Sequence, residues 1–316
     1  KYGISSSYTG RYHVENKSLV LDEQLPKANF GSSNTLQECL EWGINKYPAE
    51  KTGLILWNHG GGMDGVCYDE NYRDDCLYHN EIKVALEEAF KNTGRSSQDK
   101  LEFIGYDACL MALQDSEEYI SQFCNYFVSS QEVESGYGWD YDTWLDDLYA
   151  KKPTVDILKA IVDGFIKDND KYYSNDQTLS VINSNAFESY RNAFETYAEQ
   201  LNNKLTDYQI SRDTFTKFVS QNIKSYAGED ARYYGSLDVV DFINQVETNS
   251  LFSVGGNYAS DVMDAFKNLV VYENHGKAAG NSNGLNLFFP WSNNTCGYRT
   301  TNFTKWKSLC KTFGYA

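Results

Sequence analysis

Prolines number only 4 and cysteines 7 in 316 residues, and the chain contains no lysine/arginine cluster and no long apolar run. Each scarcity excludes a class of protein. Few prolines alongside 23 glycines rule out collagen-like or linker-like chains. The cysteine density is far below that of a disulfide scaffold. An odd count leaves at least one thiol unpaired within the chain, and most of the others are expected as small buried hydrophobes. Apolar stretches such as Leu54–Trp57 end far short of the ~20 residues of a membrane-spanning helix. No signal-peptide pattern is visible either. The chain opens at Lys1 without a methionine, so we expect a processed, excised or incompletely represented chain whose destination cannot be read from its start. Its 28 Lys+Arg stand against 44 Asp+Glu, a formal charge of −16. That balance speaks against a nucleic-acid partner or an anionic membrane surface, both of which need clustered cations. An acidic protein can attract cationic substrates or hold calcium, or simply stay soluble.

What the chain has in quantity is core. Apolar residues make up 41% and aromatics 15%, too many for a disordered chain. The length exceeds the ~100–200 residues of one typical domain. Residues 1–32 lack a long periodic pattern and read as a short hairpin or loop edge. From Asn34, Leu36, Leu40 and Ile44 recur at helical spacing until Pro48. Leu54–Asn58 reads as a short buried strand ending in glycines, residues 63–78 as a polar acidic loop, and Asn80–Asn92 as a helix. Lys100–Tyr106 is a second buried strand, Leu110–Phe123 a helix, and Tyr126–Gln131 a third strand. Alternation of this kind, with short connections, is the sequence form of a parallel α/β sheet. We therefore divide the chain at residue 150. After Pro153 helical patterns dominate, at Val155–Lys167, Ala186–Leu205, Arg212–Tyr226, Leu237–Val246 and Tyr258–Val271. Strand-like Thr178–Ser184 and Gly284–Pro290 interrupt them and are candidates to extend the sheet.

In such sheets reactive groups gather at the carboxyl ends of strands. His59 and Cys109 both lie just beyond an apolar strand, in Asn58-His59-Gly60-Gly61-Gly62 and Asp107-Ala108-Cys109. A nucleophilic cysteine needs partial exposure and a proton carrier, and a glycine run lets backbone N–H groups face a developing oxyanion. The plainer reading has Cys109 buried, His59 on a surface loop and the glycines in a turn. His13 and His275 have no motif around them and read as surface histidines. The many tyrosines and phenylalanines read as packing.

The blocks LILWNHGGG, IGYDACLMA and SSQE resemble the clostripain family of clan CD cysteine peptidases. YPAEKTGLILW, SGYGWDY and GLNLFFP extend the likeness, which is strong over residues 33–145 and loose over 150–316. The separation of His59 and Cys109 matches the ~50 residues seen in caspases, although caspases carry Gln where this chain has Asp107. The resemblance implies an α/β, caspase-like αβα sandwich with a mostly parallel central sheet and a mainly helical C-terminal region. It implies Cys109 as nucleophile, His59 as proton carrier for the leaving amine, and the Gly60 and Cys109 amides as the oxyanion hole. Asp107 would line a pocket for arginine or lysine, and its alternative role is as N-cap of a following helix. Glu132 and Asp140 are two candidates for a second pocket carboxylate. The implied activity is endopeptidase cleavage after Arg or Lys through a thioester, with polypeptide substrates, in a secreted or cell-surface protein.

Three further expectations attach to it. Arg73–Asp74 in the acidic loop is a candidate self-processing bond, against a solvated loop whose arginine pairs with neighbouring acids. Asp69, Glu70, Asp74 and Asp75 offer oxygens to calcium, without EF-hand spacing, and no organic cofactor is required. Relatives begin with a strand–helix–strand that has no counterpart before Lys1. That segment is either absent or a separate cleaved N-terminal fragment partnering this chain, with the exposed strand edge such a gap would leave. Two rival functions remain: an inactive caspase-fold binding protein, and a zinc hydrolase built on His59, Cys67, Cys76 or His79.

Overall fold

The computed structural model describes residues 4–96, 98–169, 175–291 and 301–312; Cys296 lies outside them. A hairpin opens the described chain, β1 (Thr9–Glu15) and β2 (Ser18–Leu25), pairing antiparallel. Then follow α1 (Ser33–Lys46), β3 (Gly53–Trp57), β4 (Val66–Asp69), β5 (Asp75–Leu77), α2 (His79–Asn92), β6 (Leu101–Asp107), α3 (Gln114–Ile120) and β7 (Cys124–Ser129). Beyond them come α4 (Leu145–Tyr149), α5 (Thr154–Asn169), β8 (Thr178–Asn183), α6 (Phe187–Asp207), α7 (Arg212–Asn222), α8 (Ala231–Tyr234) and β9 (Ser236–Asp238). The chain closes with α9 (Val239–Thr248), α10 (Tyr258–Leu269), β10 (Val270–His275), β11 (Asn286–Phe288) and α11 (Thr304–Thr312).

The central sheet has the order β10-β8-β7-β6-β3. β3, β6 and β7 run parallel, β8 is antiparallel to β7, and β10 is antiparallel to β8. The sheet is thus mixed, and it crosses the boundary drawn at residue 150. Alternation along the strands feeds two cores. Ile104, Tyr106, Phe127 and Ile182 face a large core shared with α1, α2 and α6, which also takes in Phe194, Phe303 and Trp306. Val128, Leu179 and Val181 face the other side, where α5 buries Ile157, Leu158, Ile161, Val162 and Phe165 together with Trp139 and Trp144. Helices on both faces of one sheet make the αβα arrangement.

Several elements differ from the sequence reading, each for a tertiary reason. Residues 63–78 are not an open loop. β4 and β5 form a hairpin whose Val66, Cys67, Cys76 and Leu77 are buried, and the segment Lys27–Gly31 is clasped against it. A Cβ on Gly31 would strike the Asp75 carbonyl, while Phe30 N–H donates to Asp69 Oδ2 at 3.0 Å and Tyr72 OH to the Lys27 carbonyl at 3.0 Å. The helix expected from Leu110 begins at Gln114, because Leu110 sits at φ 64° and turns the chain. Residues 108–110 form a bend and turn, and the chain then passes between neighbours, with Ala112 N–H on the Ser130 carbonyl and Asn286 N–H on the Ala112 carbonyl. β8 joins the central sheet, but β11 pairs with β9, and Leu237 belongs to β9 and not to a helix. His275 ends β10, with its ring against Glu273, and His13 lies in β1 against Asp22.

Candidate active site

β3 and β6 pair in parallel with Trp57 opposite Asp107, so the residues after each strand leave the sheet side by side. His59 and Cys109 are therefore neighbours at one rim. Gly60 is in backbone contact with the cysteine: a Cβ there would fall on the Cys109 carbonyl and lie 3.1 Å from Cys109 N. No larger residue fits. The turn after His59 is tied to the β4–β5 hairpin, Cys67 N–H donating to the His59 carbonyl at 3.0 Å and Gly61 N–H to the Gly65 carbonyl at 2.9 Å. His59 itself is exposed.

Cys109 is half-buried, and Glu134 N–H points at its sulfur from 3.4 Å. Burial pushes the thiol pKa up. The backbone amides of Glu134, Gly60 and Cys109 itself face the sulfur and draw it down by less. The raised pKa favours the neutral thiol, and three backbone amides lie around the sulfur.

Asp107 ends β6 with only 4% exposure. Its carboxylate accepts Trp139 N–H at 3.2 Å and Tyr141 OH at 3.0 Å, and Gly138 packs onto it at φ 68°, leaving no room for a Cβ. No helix follows at Ala108, so Asp107 is not a helix N-cap. Burial raises its pKa, opposed by those two donors. Facing it is Glu134, a residue the sequence reading missed. Glu134 is 8% exposed; neither of its buried carboxyl oxygens makes a close hydrogen bond and the Trp139 indole N–H has no close acceptor, although Trp139 and Asp107 are the polar groups that adjoin the carboxyl. Burial, with the Asp107 charge beside it and then Cys109, pushes the Glu134 carboxyl well above the ordinary carboxylate range.

The two expected second carboxylates have other backbone partners, although the Glu132 charge still reaches Cys109. Glu132 Oε1 accepts Val133 N–H at 2.8 Å and Ala227 N–H at 2.9 Å, and Asp140 accepts Asp142 N–H at 3.3 Å to cap a 3-10 turn, Tyr141–Thr143. The carboxyl that acts on Asp107 is Glu134. Arg73 and Asp74 sit exposed at the tip of the β4–β5 hairpin, both left-handed at φ 63° and 57°. Asp69 is committed to Phe30 and Asn71 backbone N–H groups, and Asp75 to Asn29. Cys67, Cys76 and His79 do not converge as a zinc site would require. Cys76 Sγ donates to the Asp64 carbonyl at 3.2 Å, and neither ring nitrogen of the fully enclosed His79 has a partner. Among the described residues no group of three or more His, Cys, Asp or Glu is placed to hold a metal ion. No helix of the described chain is long and apolar enough to cross a membrane.

A caspase-like sheet with a thiol and an imidazole on adjacent strand ends defines the class, and the comparisons define the family. The model of the clostripain family matches residues 9–312, and the chain belongs to that family. It is 24% identical over 351 residues to clostripain of Hathewaya histolytica, covering 91% of this chain and 64% of that protein. The chain thus spans under two thirds of the length of that curated relative. A secreted C11 cysteine protease of Bacteroides thetaiotaomicron, solved with an irreversible peptide inhibitor, superposes with a TM-score of 0.69 at 16% identity, covering 96% of this chain and 85% of that one. An inactive zymogen C11 protease of Parabacteroides distasonis gives 0.67 at 17% identity, covering 93% and 82%. At these identities the structural likeness is one of fold.

Proposed function

We propose that this chain is a cysteine endopeptidase that cleaves on the carbonyl side of arginine or lysine. The observation that carries the basic preference is the pair of buried Glu134 oxygens, neither in a close hydrogen bond, beside Asp107. A buried carboxyl without a partner is costly unless a ligand completes it. A guanidinium brings five N–H donors and a positive charge to two adjoining acids, and lysine brings a point charge. The pocket flanks Cys109, so a bound side chain places the carbonyl that follows it at the sulfur.

In the chemistry that follows, His59 takes the Cys109 proton as Sγ attacks the carbonyl carbon. The Gly60 and Cys109 N–H groups, which lie around the sulfur, are the proposed donors to the new C–O⁻. His59 returns the proton to the departing amine, the C–N bond breaks, and a thioester remains. Water, deprotonated by the same imidazole, then releases the acid and the free thiol. Protein groups alone perform these steps. Asp107, with Trp139 N–H and Tyr141 OH holding it, is the fixed half of the pocket, and Glu134 is the half that a substrate completes.

Arg73–Asp74 remains the proposed processing bond. It is exposed, and two successive left-handed non-glycine residues hold about 1–2 kcal/mol of strain each. A solved relative described as an inactive zymogen fits an enzyme that is switched on by cutting. A secreted relative is likewise the basis for proposing export.

The decisive experiment is turnover on peptides that vary only the residue before the cut, with native protein and with Cys109→Ala. Cleavage confined to Arg and Lys peptides and lost in the variant is the expected result. Cleavage that survives either this substitution or thiol alkylation would overturn the nucleophile. Mass spectrometry of both proteins tests the processing bond, since equal cutting after Arg73 in native protein and variant would rule out self-processing.

A further inference from the structure

We propose that the loop Ala227–Gly235 forms the leaving-group wall of the cleft, and that Tyr234 there receives a large apolar side chain from the residue after the scissile bond. The inference rests on the thiol-peptidase reading of Cys109 and adds a second specificity site to it.

The loop is a closed excursion. Its base is zipped by Tyr226 N–H on the Ser236 carbonyl at 3.1 Å and by a bridge between Ser225 and Leu237. Its first amide, Ala227 N–H, is held at 2.9 Å by the Glu132 carboxylate, from the segment that also contacts Cys109. The chain turns there, with Ala227 at φ 76° and Gly228 at 52°. It returns at Gly235, φ 63°, where a Cβ would press on the Phe289 carbonyl at 2.5 Å. Both ends are fixed, so what the loop presents is presented in one place.

What it presents is aromatic. The Tyr234 ring edge lies 3.3 Å from where a Gly61 Cβ would stand, and Tyr68 OH is 3.0 Å from the same point. Tyr233 stacks edge-on to Tyr234 with centroids 5.0 Å apart, is 58% exposed, and interacts with the Asp64 carboxyl of the glycine turn. Tyr234 is half-buried, and it packs at Gly61, the residue after the Gly60 that touches the Cys109 backbone.

The side of the cleft follows from the chemistry. The acid pair and residues 134–141 flank Cys109 where the residue before the cut must sit. His59 hands its proton to the departing amine, and the chain leaves His59 directly as Gly60-Gly61. The residue after the cut therefore faces Gly61 and the ring leaning on it. The Tyr234 ring edge beside glycine backbone offers apolar contact, with the Tyr68 hydroxyl and the Asp64 carboxyl at its margin already engaged within the protein, which selects by size and apolarity.

The test uses two peptide series. One varies the residue before the bond and establishes the first pocket independently. The other keeps the best residue found there and varies the residue after the bond through Gly, Ala, Asp, Leu and Phe. Tyr234→Ala is expected to lower kcat/KM about tenfold for Leu and Phe peptides and to leave Gly and Ala peptides within about twofold. Tyr234→Phe should keep the native pattern. A peptidyl chloromethyl ketone carries no residue beyond the carbonyl, so its rate of Cys109 alkylation should not change in either variant. A uniform fall across all peptides and the ketone would reduce Tyr234 to a fold-holding role. An unchanged preference after the cut in Tyr234→Ala would remove it from the site. Either result overturns the proposal without touching the assignment of the first pocket.

Discussion

Two buried acids hang on the same short segment after β7 and differ in one respect. Asp238, which accepts from Gln131 Nε2 at 2.9 Å, also takes Tyr226 OH, Asn283 N–H, Asn283 Nδ2 and Asp241 N–H, all within 3.0 Å. Glu134, three residues after Gln131, takes none. Gln131 is itself saturated, accepting Gly284 N–H at 2.6 Å and donating to Asn286 Oδ1 at 2.7 Å. The first cluster is finished and can only hold the fold together. The second is incomplete, and an incomplete buried carboxyl next to a thiol is what the proposed basic pocket rests on. The saturated network is what keeps the unsaturated one in place.

The sharpest way to break this comparison is Glu134→Gln. Removing a buried, unpaired ionisable group should leave the melting temperature unchanged or raise it. kcat/KM for arginyl peptides should fall roughly 100- to 1,000-fold, as when one partner of a buried charge pair is lost. A pH series refines the test. Burial and the neighbouring Asp107 charge raise the Glu134 pKa, so binding of a guanidinium beside the pair would favour loss of its proton. KM for an arginyl peptide should therefore drop as pH rises towards deprotonation of the pair, and the Gln variant should lose that slope. An equal slope in both proteins would show that the pair is not the pocket.

Asp238→Ala should do the opposite. It removes the shared acceptor of Gln131 Nε2, Tyr226 OH, Asn283 and Asp241 N–H, leaving Gln131 only Asn286 Oδ1 and Tyr226 only Ser282 Oγ, and the expected loss is about 3 kcal/mol of stability. The denaturation midpoint reports it, with activity falling for every substrate alike. A change in substrate preference without a change in midpoint would reverse the roles assigned to the two acids.

Much of this arrangement is legible in the residues. The apolar runs around Leu54 and Ile104, each ending in a turn with a reactive side chain, place His59 and Cys109 on strand ends, and β3 and β6 being neighbours supplies the rest. Glu134 was not legible. Glu132, Glu134 and Asp140 share one loop, and which of them turns inward depends on partners far away, such as Ala227 for Glu132. The nearest local signal is Gly136-Tyr137-Gly138-Trp139, a turn before a tryptophan that must be buried and that drags Glu134 in with it. Leu110–Leu113 misled for a different reason. A segment buried on all sides carries no amphipathic period, so its apolar run suits an extended strand-like path as well as a helix. The β4–β5 hairpin was hidden because its clasp comes from Lys27–Gly31, far upstream.

Away from the site, Glu117 is the buried acid with half a partner: Ser129 Oγ donates to one oxygen, and the other has no donor. Burial raises its pKa from 4.5 to about 8. The folded protein therefore binds a proton that the unfolded chain releases between those values, and stability should decline across that window as pH rises. From pH 5 to pH 7 the decline attributable to this group is roughly 3 kcal/mol. Glu117→Gln should flatten it and melt higher at pH 8. If native protein and variant lose stability in parallel, the carboxyl is not held protonated.

His79 tests the same logic with the sign reversed and a smaller effect. Its ring is enclosed, neither nitrogen has a partner, and burial lowers its pKa from 6.5 to about 4. Between those values the unfolded chain takes up a proton that the folded protein refuses, so acidification through this window destabilises the fold. By pH 5 the loss is about 2 kcal/mol. His79→Leu keeps much of the volume and removes the titration, so its denaturation midpoint should change less between pH 7 and pH 5 than that of the native chain. Were His79 instead waiting for a metal in the manner of Glu134 waiting for a cation, zinc would raise the native midpoint and not the variant's. Cys76 is turned to a carbonyl, and among the described residues no set of metal ligands forms, so the expected zinc effect is none. What separates the two is company: Asp107, Cys109 and Trp139 all act on the Glu134 carboxyl, whereas burial alone acts on the His79 ring.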